Sequence, residues 1–245
     1  MFALKQNAWK RVRAITGPNF SMDRIKTMQG LIQESLDFLI HNMEVMSING
    51  YPVDVKKYFG AFAMDVISSC AFGTKVNSIQ CPDNEIVLNI KKIARQNIPL
   101  SSTLTFLFPS LSKSFRLHPF DKLSLRFLRT ALKEVITKRK ADNELHRNDF
   151  VQLLIGTSQE LDGNLTDDEI VDQCLLFIAN GYETTSAALI SSAYCLATNP
   201  ECQEKLLNEI DLMNLDDLDF EALQSLPYLE AFLSEVLRLM PPIPK

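Results

Sequence analysis

The chain has 245 residues, 46% of them hydrophobic and 22% charged, the balance of a folded domain and not of a disordered tail, a fibre or a low-complexity linker. Its 25 basic residues face 30 acidic ones, a net charge of −5, which argues against a nucleic-acid binder, since a phosphate backbone calls for a basic excess. The 8 glycines are about half the usual share of roughly 7%, so tight turns are scarce and long helices are expected in place of a barrel or propeller.

In chain order, Asn7 to Thr16 contains Trp9-Lys10-Arg11-Val12-Arg13. Its helical period is weak, but Trp9 and Arg13 are four apart and share a face in a helix. After Gly17-Pro18, Ser21 is expected to cap a helix reaching about Glu44, with Ile25, Met28, Ile32, Leu36 and Leu39 at helical steps. A second helix is expected over Val55 to Ala71, burying Val55, Tyr58, Phe59, Phe62, Val66 and Ile67. Cys81 to Asn84 reads as a turn and Glu85 to Gln96 as a helix. Ile98 to Phe120, rich in Leu, Phe, Ser and Pro and without an acidic residue, has no clean period. It reads as a loop over a pocket or a surface that touches membrane. A basic helix follows from Asp121 to about Ala141, its Lys138-Arg139-Lys140 end read as a solvated terminus that suits the helix dipole.

Thr166-Asp167-Asp168-Glu169 has the form of a capping box. From Gln173 to Thr198 the only charge is Glu183, and a helix apolar all round belongs in the middle of a protein or in a membrane. An acidic residue at the centre of a span costs about 2.5–3.5 kcal/mol, so a long core helix is expected. Asn199-Pro200 ends it and opens the next helix, Asn as N-cap and Pro in the first turn. The last helix is expected over Pro227 to Leu239, where Glu235 and Arg238 are three apart and can pair. The proline-rich Met240–Lys245 stretch after it reads as the connector of a truncated chain.

The five cysteines, Cys70, Cys81, Cys174, Cys195 and Cys202, show no C-x-x-C spacing and none lies near a histidine. They read as free thiols packed as small hydrophobes, with neither a disulfide framework nor a metal site. His41, His118 and His146 stand alone, leaving a histidine-based nucleophile without support. No apolar stretch of a signal peptide follows Met1, and the reducing cytosolic side of the cell is the expected environment.

The chemically suggestive segment is Asn180-Gly181-Tyr182-Glu183-Thr184-Thr185. Glycine inside a helix costs about 0.5–1 kcal/mol against alanine and often marks the close approach of another body. Adjacent threonines can bond back to carbonyls a turn earlier. An acid and a hydroxyl beside a glycine gap form either a proton-delivery site next to a flat ligand or a helix–helix polar contact or kink.

Three separated motifs now fall into one order. Trp9-Lys-Arg-Val-Arg13 has the form W-x-x-x-R, Asn180 to Thr185 the form [A/G]-G-x-[D/E]-T-[T/S], and Glu235-Val-Leu-Arg238 the form E-x-x-R. Together they resemble the cytochrome P450 family, and the flanking text resembles its microsomal branch of drug-oxidising enzymes and thromboxane synthase. That text includes Ala63–Ile67, Ala71-Phe72-Gly73, Asn148–Leu153 and Leu196–Pro200. The resemblance covers essentially residues 1–245. It implies a single incomplete domain, the central helical part of the mainly-α P450 fold truncated at both ends, without the N-terminal anchor or the haem-ligand loop.

The resemblance implies haem (iron protoporphyrin), with electrons ultimately from NADPH through NADPH–cytochrome P450 reductase. Trp9 and Arg13 would hold a haem propionate, Ala179, Gly181 and Thr184 would line the haem, and Glu183 and Thr184 would relay protons to bound oxygen. Glu235 and Arg238 would form a buried structural pair. Ile98–Phe120 would be the membrane-facing substrate-access region, on the cytosolic face of the endoplasmic reticulum. The implied reaction inserts one oxygen atom from O₂ into a small lipophilic substrate. The alternatives are a haem-thiolate isomerase resembling thromboxane synthase and a non-catalytic truncated product. Asn180 departs from the motif's Ala or Gly, and the loop F-x-x-G-x-R-x-C-x-G is not among these residues. The chain alone is therefore expected to be inactive and to offer no metal ligand.

Overall fold

The computed structural model describes residues 6–94, 121–141, 147–160, 165–213 and 220–243, and all regular structure among them is helical. Helix α1 (Gln6–Thr16) runs through a 3-10 turn (Gly17–Phe20) into α2 (Met22–Thr27), α3 (Gln29–Ile48), α4 (Val55–Phe72) and α5 (Glu85–Ala94). Then come α6 (Lys122–Ala141), α7 (Phe150–Glu160), α8 (Asp167–Thr198), α9 (Pro200–Asp211), α10 (Phe220–Gln224) and α11 (Pro227–Leu239). The expected mainly-α class is what the chain adopts. The Ile98–Phe120 reading falls outside the described residues, as do the last two residues of the Glu85–Gln96 helix. No helix among the described residues is long and apolar enough to cross a membrane.

Helix ends follow local chemistry. At α8 the Thr166 hydroxyl accepts from the Glu169 N–H at 3.2 Å and the Glu169 carboxylate accepts from the Thr166 N–H at 2.9 Å, satisfying two orphan donors reciprocally. Pro200 and Pro227 occupy the first turns of α9 and α11, where a missing N–H costs nothing. Asn199 stands at the junction as expected, but its side chain donates back to the Cys195 carbonyl and caps no N–H of α9. At the start of α11 the cap comes from another helix: Glu209 accepts from the Tyr228 and Leu229 N–H groups at 2.7 and 2.9 Å. The single helix expected from Ser21 to Glu44 is instead broken at Met28, and Ser21 makes no side-chain cap. Thr27 Oγ1 bonds back to the Arg24 carbonyl and the Met28 N–H takes the Ile25 carbonyl, a tightened turn that lets Met28 enter the core.

The core lies where the first half of α8 meets α4, α5, α6, α7 and α1. Met64, Ile90, Leu128, Leu132, Ile136, Leu154, Ile170 and Ile178 are fully buried. Phe150 stacks on Phe177 with centroids 4.6 Å apart. Two expectations change here. On α4 the buried set is mostly small: Ala61, Ala63, Ser68, Ser69, Cys70 and Ala71 face inward with Tyr58 and Ile67, while Val55, Phe59, Phe62 and Val66 are half-buried. The helix is sandwiched between neighbours, and only small side chains admit that closeness. Helix α8 buries Ile170, Val171, Gln173, Cys174, Leu175 and Ile178, but Asn180, Thr185 and Tyr194 are exposed and, Ser186 apart, most of the helix beyond Ile178 is half-buried, so the all-round burial expected of it does not hold past Ile178. Cys70 and Cys174 pack as hydrophobes, whereas Cys81 is exposed.

The Lys138-Arg139-Lys140 end of α6 is not uniformly solvated. Arg139 continues the stripe Leu128, Leu132, Ile136 and is buried, with both terminal nitrogens on the Asp149 carboxylate at 2.5 Å. Asp149 also accepts from the Gln152 N–H at 3.0 Å and so caps α7. Gly73, which ends α4 with φ +62°, packs against this pair, and Arg147 donates to its carbonyl. A Cβ there would lie 2.7 Å from Asp149 Oδ2 and closer still to Arg139, so glycine is required for both conformation and space.

Candidate functional site

The polar segment Asn180–Thr185 sits mid-way along α8, where the helix leaves the core. Successive residues turn about 100° around a helix, so neighbours in sequence diverge while positions four apart coincide. Asn180 is exposed, and the Thr184 hydroxyl, one turn on, donates to its carbonyl. Asn180 and Thr185 are the exposed positions of this segment, and Thr184 is half-buried between them. Ala179 and Tyr182 pack against the hydrophobic core.

Gly181 faces α4. A Cβ on it would collide with Cδ1 of Ile67 and stand 3.1 Å from its Cγ1. Its missing side chain therefore has an occupant, the buried Ile67, and the close approach that the sequence suggested is that of a helix. On the neighbouring faces Asn180 is exposed and Thr184 half-buried.

Glu183 points to a third side. It lines a pocket of about 250 Å³ between α4 and α8, together with Lys56 and Gly60 of α4, Tyr182, Ser186 and Pro242. Burial, and then the Glu183 charge, raise the Tyr182 phenol above its usual value, so Tyr182 stays a neutral hydroxyl. The Ser186 hydroxyl donates to the Glu183 carbonyl at 3.1 Å. Lys56 and Gly60 were not singled out from sequence, and Ile67 only as a buried position, because each belongs to the site only through the α4–α8 crossing.

On α1, Val12 and Ile15 are buried and Arg11 pairs with Glu169. This docks the helix against the start of α8 and turns Trp9 and Arg13 outward. Trp9 is 42% exposed, and no hydrogen bond or ion pair engages either side chain among the described residues. Nor does a hydrogen bond join them to Glu183 or Thr184. Glu235 and Arg238 form the expected pair, bidentate at 2.6 and 2.7 Å. It is exposed and not buried, since only Val236 of that turn of α11 faces inward. The guanidinium holds the Glu235 carboxyl below its usual value.

The sequence profile of the family described as cytochrome P450 matches residues 1–245. The chain belongs to the cytochrome P450 family. It is 38% identical over 246 residues to cytochrome P450 3A13 of Mus musculus, 36% over 244 to cytochrome P450 3A6 of Oryctolagus cuniculus and 35% over 248 to cytochrome P450 3A56 of Fundulus heteroclitus. These alignments cover 95%, 95% and 97% of this chain and 48%, 48% and 50% of the relatives. The chain thus spans about half the length of the curated relatives it matches. P450 membership implies haem as cofactor, with electrons derived from NADPH, and at family level the chemistry is haem-thiolate monooxygenation.

The donor chemistry on α1 fits such a group: an indole N–H and a guanidinium one turn apart, outward and unengaged, suit the anionic propionates. The buried cysteines do not suit its iron. Burial and the Asp149 charge push the Cys70 thiol up to about 12, and the same burial raises Cys174, so both stay protonated where a ligand must be a thiolate.

Proposed function

We propose that the chain is the central part of one P450 domain, and that this domain is a monooxygenase inserting one oxygen atom of O₂ into a lipophilic organic substrate. NADPH–cytochrome P450 reductase would supply the electrons at the cytosolic face of the endoplasmic reticulum. The observation that carries the reading is the α8 segment, where the half-buried Thr184 hydroxyl stands one turn from the exposed Asn180 and an acid, Glu183, adjoins it. Bound haem would supply oxygen activation, its thiolate coming from a part of the domain outside these residues.

In this reading Trp9 and Arg13 bind the propionates by hydrogen bond and charge. Thr184 Oγ1 is already a donor to the Asn180 carbonyl; rotation about χ1 lets it donate away from the helix instead. Glu183 holds the proton that replaces the one Thr184 gives up. The Glu235–Arg238 pair braces the loop that would pack against α11. The adjacent Glu183 and Thr184 favour the monooxygenase over an isomerase, which needs no proton relay.

The test is the reduced, CO-bound absorbance spectrum together with turnover. The full-length parent should give the thiolate-type Soret band and the 245-residue chain should not. In the parent, Thr184→Ala should keep haem content and lower productive turnover by about 10²-fold, the lower end of general acid–base contributions. Unchanged turnover, or a parent without a thiolate band, overturns the proposal.

A further inference from the structure

We infer that the cavity shared by the end of α4, the start of α3 and the segment leading into α7 is a binding site for a small organic phosphate. Arg147, Ser69 and the first turn of α3 are its donors to the phosphate, and Leu31 is its apolar wall. None of these residues belongs to the α8 segment, so the site is independent of the relay.

The cavity measures about 710 Å³, within the roughly 300–1,000 Å³ of small-molecule pockets. Its two acids are already matched. Glu34 pairs with Lys75 at 2.6 Å, and Asp149 pairs with the buried Arg139. Arg147 is the cation left over: it donates to the Gly73 carbonyl, and no carboxylate among the described residues pairs with it. One positive charge is therefore in excess, and it sits on a planar fork that matches phosphate oxygens.

Two further donors line the same space. Gly30 lies in the first turn of α3, a helix of 20 residues whose start has no side-chain cap. Its N–H has no acceptor among the described residues, and nothing lies within 4 Å of where its Cβ would stand. An anion can thus reach the backbone at the positive end of that helix. Ser69 of α4 points to a ligand independently. It is 6% exposed and lines the cavity, yet its hydroxyl has no hydrogen-bond partner among the described residues. The helical serines Ser35 and Ser192, by contrast, bond back to carbonyls one turn earlier. A buried hydroxyl without a partner is costly, and an acceptor in the cavity removes that cost. Thr27 also lines the cavity, but its hydroxyl is engaged by the Arg24 carbonyl. Guanidinium, hydroxyl and backbone N–H suit the three terminal oxygens of a phosphate monoester better than the two of a carboxylate.

The test is a titration of phenyl phosphate into the ¹⁵N-labelled 245-residue chain at neutral pH, followed at the Gly30 and Gly73 amides. Both resonances should shift saturably, with a dissociation constant of about 1 mM, the affinity expected of a ligand this small. Arg147→Met should weaken binding about tenfold and Ser69→Ala about threefold, the losses of a charged and a neutral hydrogen bond. Benzyl alcohol, similar in shape but uncharged, should leave both amides unmoved. Circular dichroism should show the parent's helix content in each variant. Arg147→Met also gives up the Gly73 contact; Ser69→Ala removes only one hydroxyl and keeps the test decisive if the first variant unfolds. The site is overturned if no saturable shift occurs, if benzyl alcohol reproduces the shift, or if folded variants at Arg147 and Ser69 bind as the parent does.

Discussion

Gly181 shows how one side chain's absence sets a whole contact. Helix propensity favours Gly181→Ala by about 1 kcal/mol, but the new methyl would meet Ile67, a stiff β-branched residue that is itself buried. Overpacking of this kind costs about 1–3 kcal/mol, so the substitution should destabilise by about 1 kcal/mol net in urea unfolding. In an Ile67→Ala background the clash is gone and Gly181→Ala should become neutral or stabilising. A double-mutant cycle with coupling near zero would show that the two residues do not press on each other. The sequence marked Gly181 as a place of close approach but could not say what approaches: Ile67 is 114 positions away, and no local pattern encodes that pairing. Arg139 is the opposite case. Its burial was legible in the Leu128, Leu132, Ile136, Arg139 spacing, and was obscured because its neighbours Lys138 and Lys140 make the segment look like a solvated run.

Among the elements, α4 is pinned to the loop that follows it by a buried acid. Asp65 accepts from the Ser78 N–H at 2.8 Å, and the Ser78 hydroxyl donates to the Ala61 carbonyl at 3.0 Å. Burial raises the Asp65 carboxyl above 3.8, outweighing the Ser78 hydrogen bonds that lower it. The native state therefore binds this proton more tightly than the unfolded chain, and its contribution to stability is complete below 3.8 and lost as pH rises through the folded value. Asp65→Asn keeps an acceptor for Ser78 and removes the titration. It should be at least as stable as the parent at about pH 7, with its advantage vanishing near about pH 4; an advantage of equal size at both values would rule out the linkage. Helix starts were the most readable elements, because the Thr166–Glu169 box and the prolines of α9 and α11 act within one turn. The break at Met28 was not readable, since no Gly or Pro marks it and a tertiary contact, the burial of Met28, decides it. The exposure of the Glu235–Arg238 pair likewise depends on what lies over α11, which spacing does not contain.

At the scale of the molecule, the α4, α6 and α7 ends converge on the Arg139–Asp149 pair, whose side chains are 3% and 1% exposed. Removing one partner of a buried pair leaves a charge without compensation, a loss of about 3–5 kcal/mol. Arg139→Met should show it as a lower midpoint in denaturant unfolding, and Arg139→Met with Asp149→Leu should recover part of it. Equal loss in the single and double variants would mean that the helix cap given by Asp149, and not the ion pair, carries the stability. The junction also imposes an order on how the chain comes together. Arg147 reaches back 74 positions to the Gly73 carbonyl, and Thr157 reaches back 138 to Asn19. Contacts that close such long loops form late, after local helices. While the chain is being synthesised, the end of α4 is made long before the segment that completes it. Until Asp149 has left the ribosome, Arg139 has no counter-charge and Gly73 no wall, so the first half of the chain must wait, helical but unlatched, for the second.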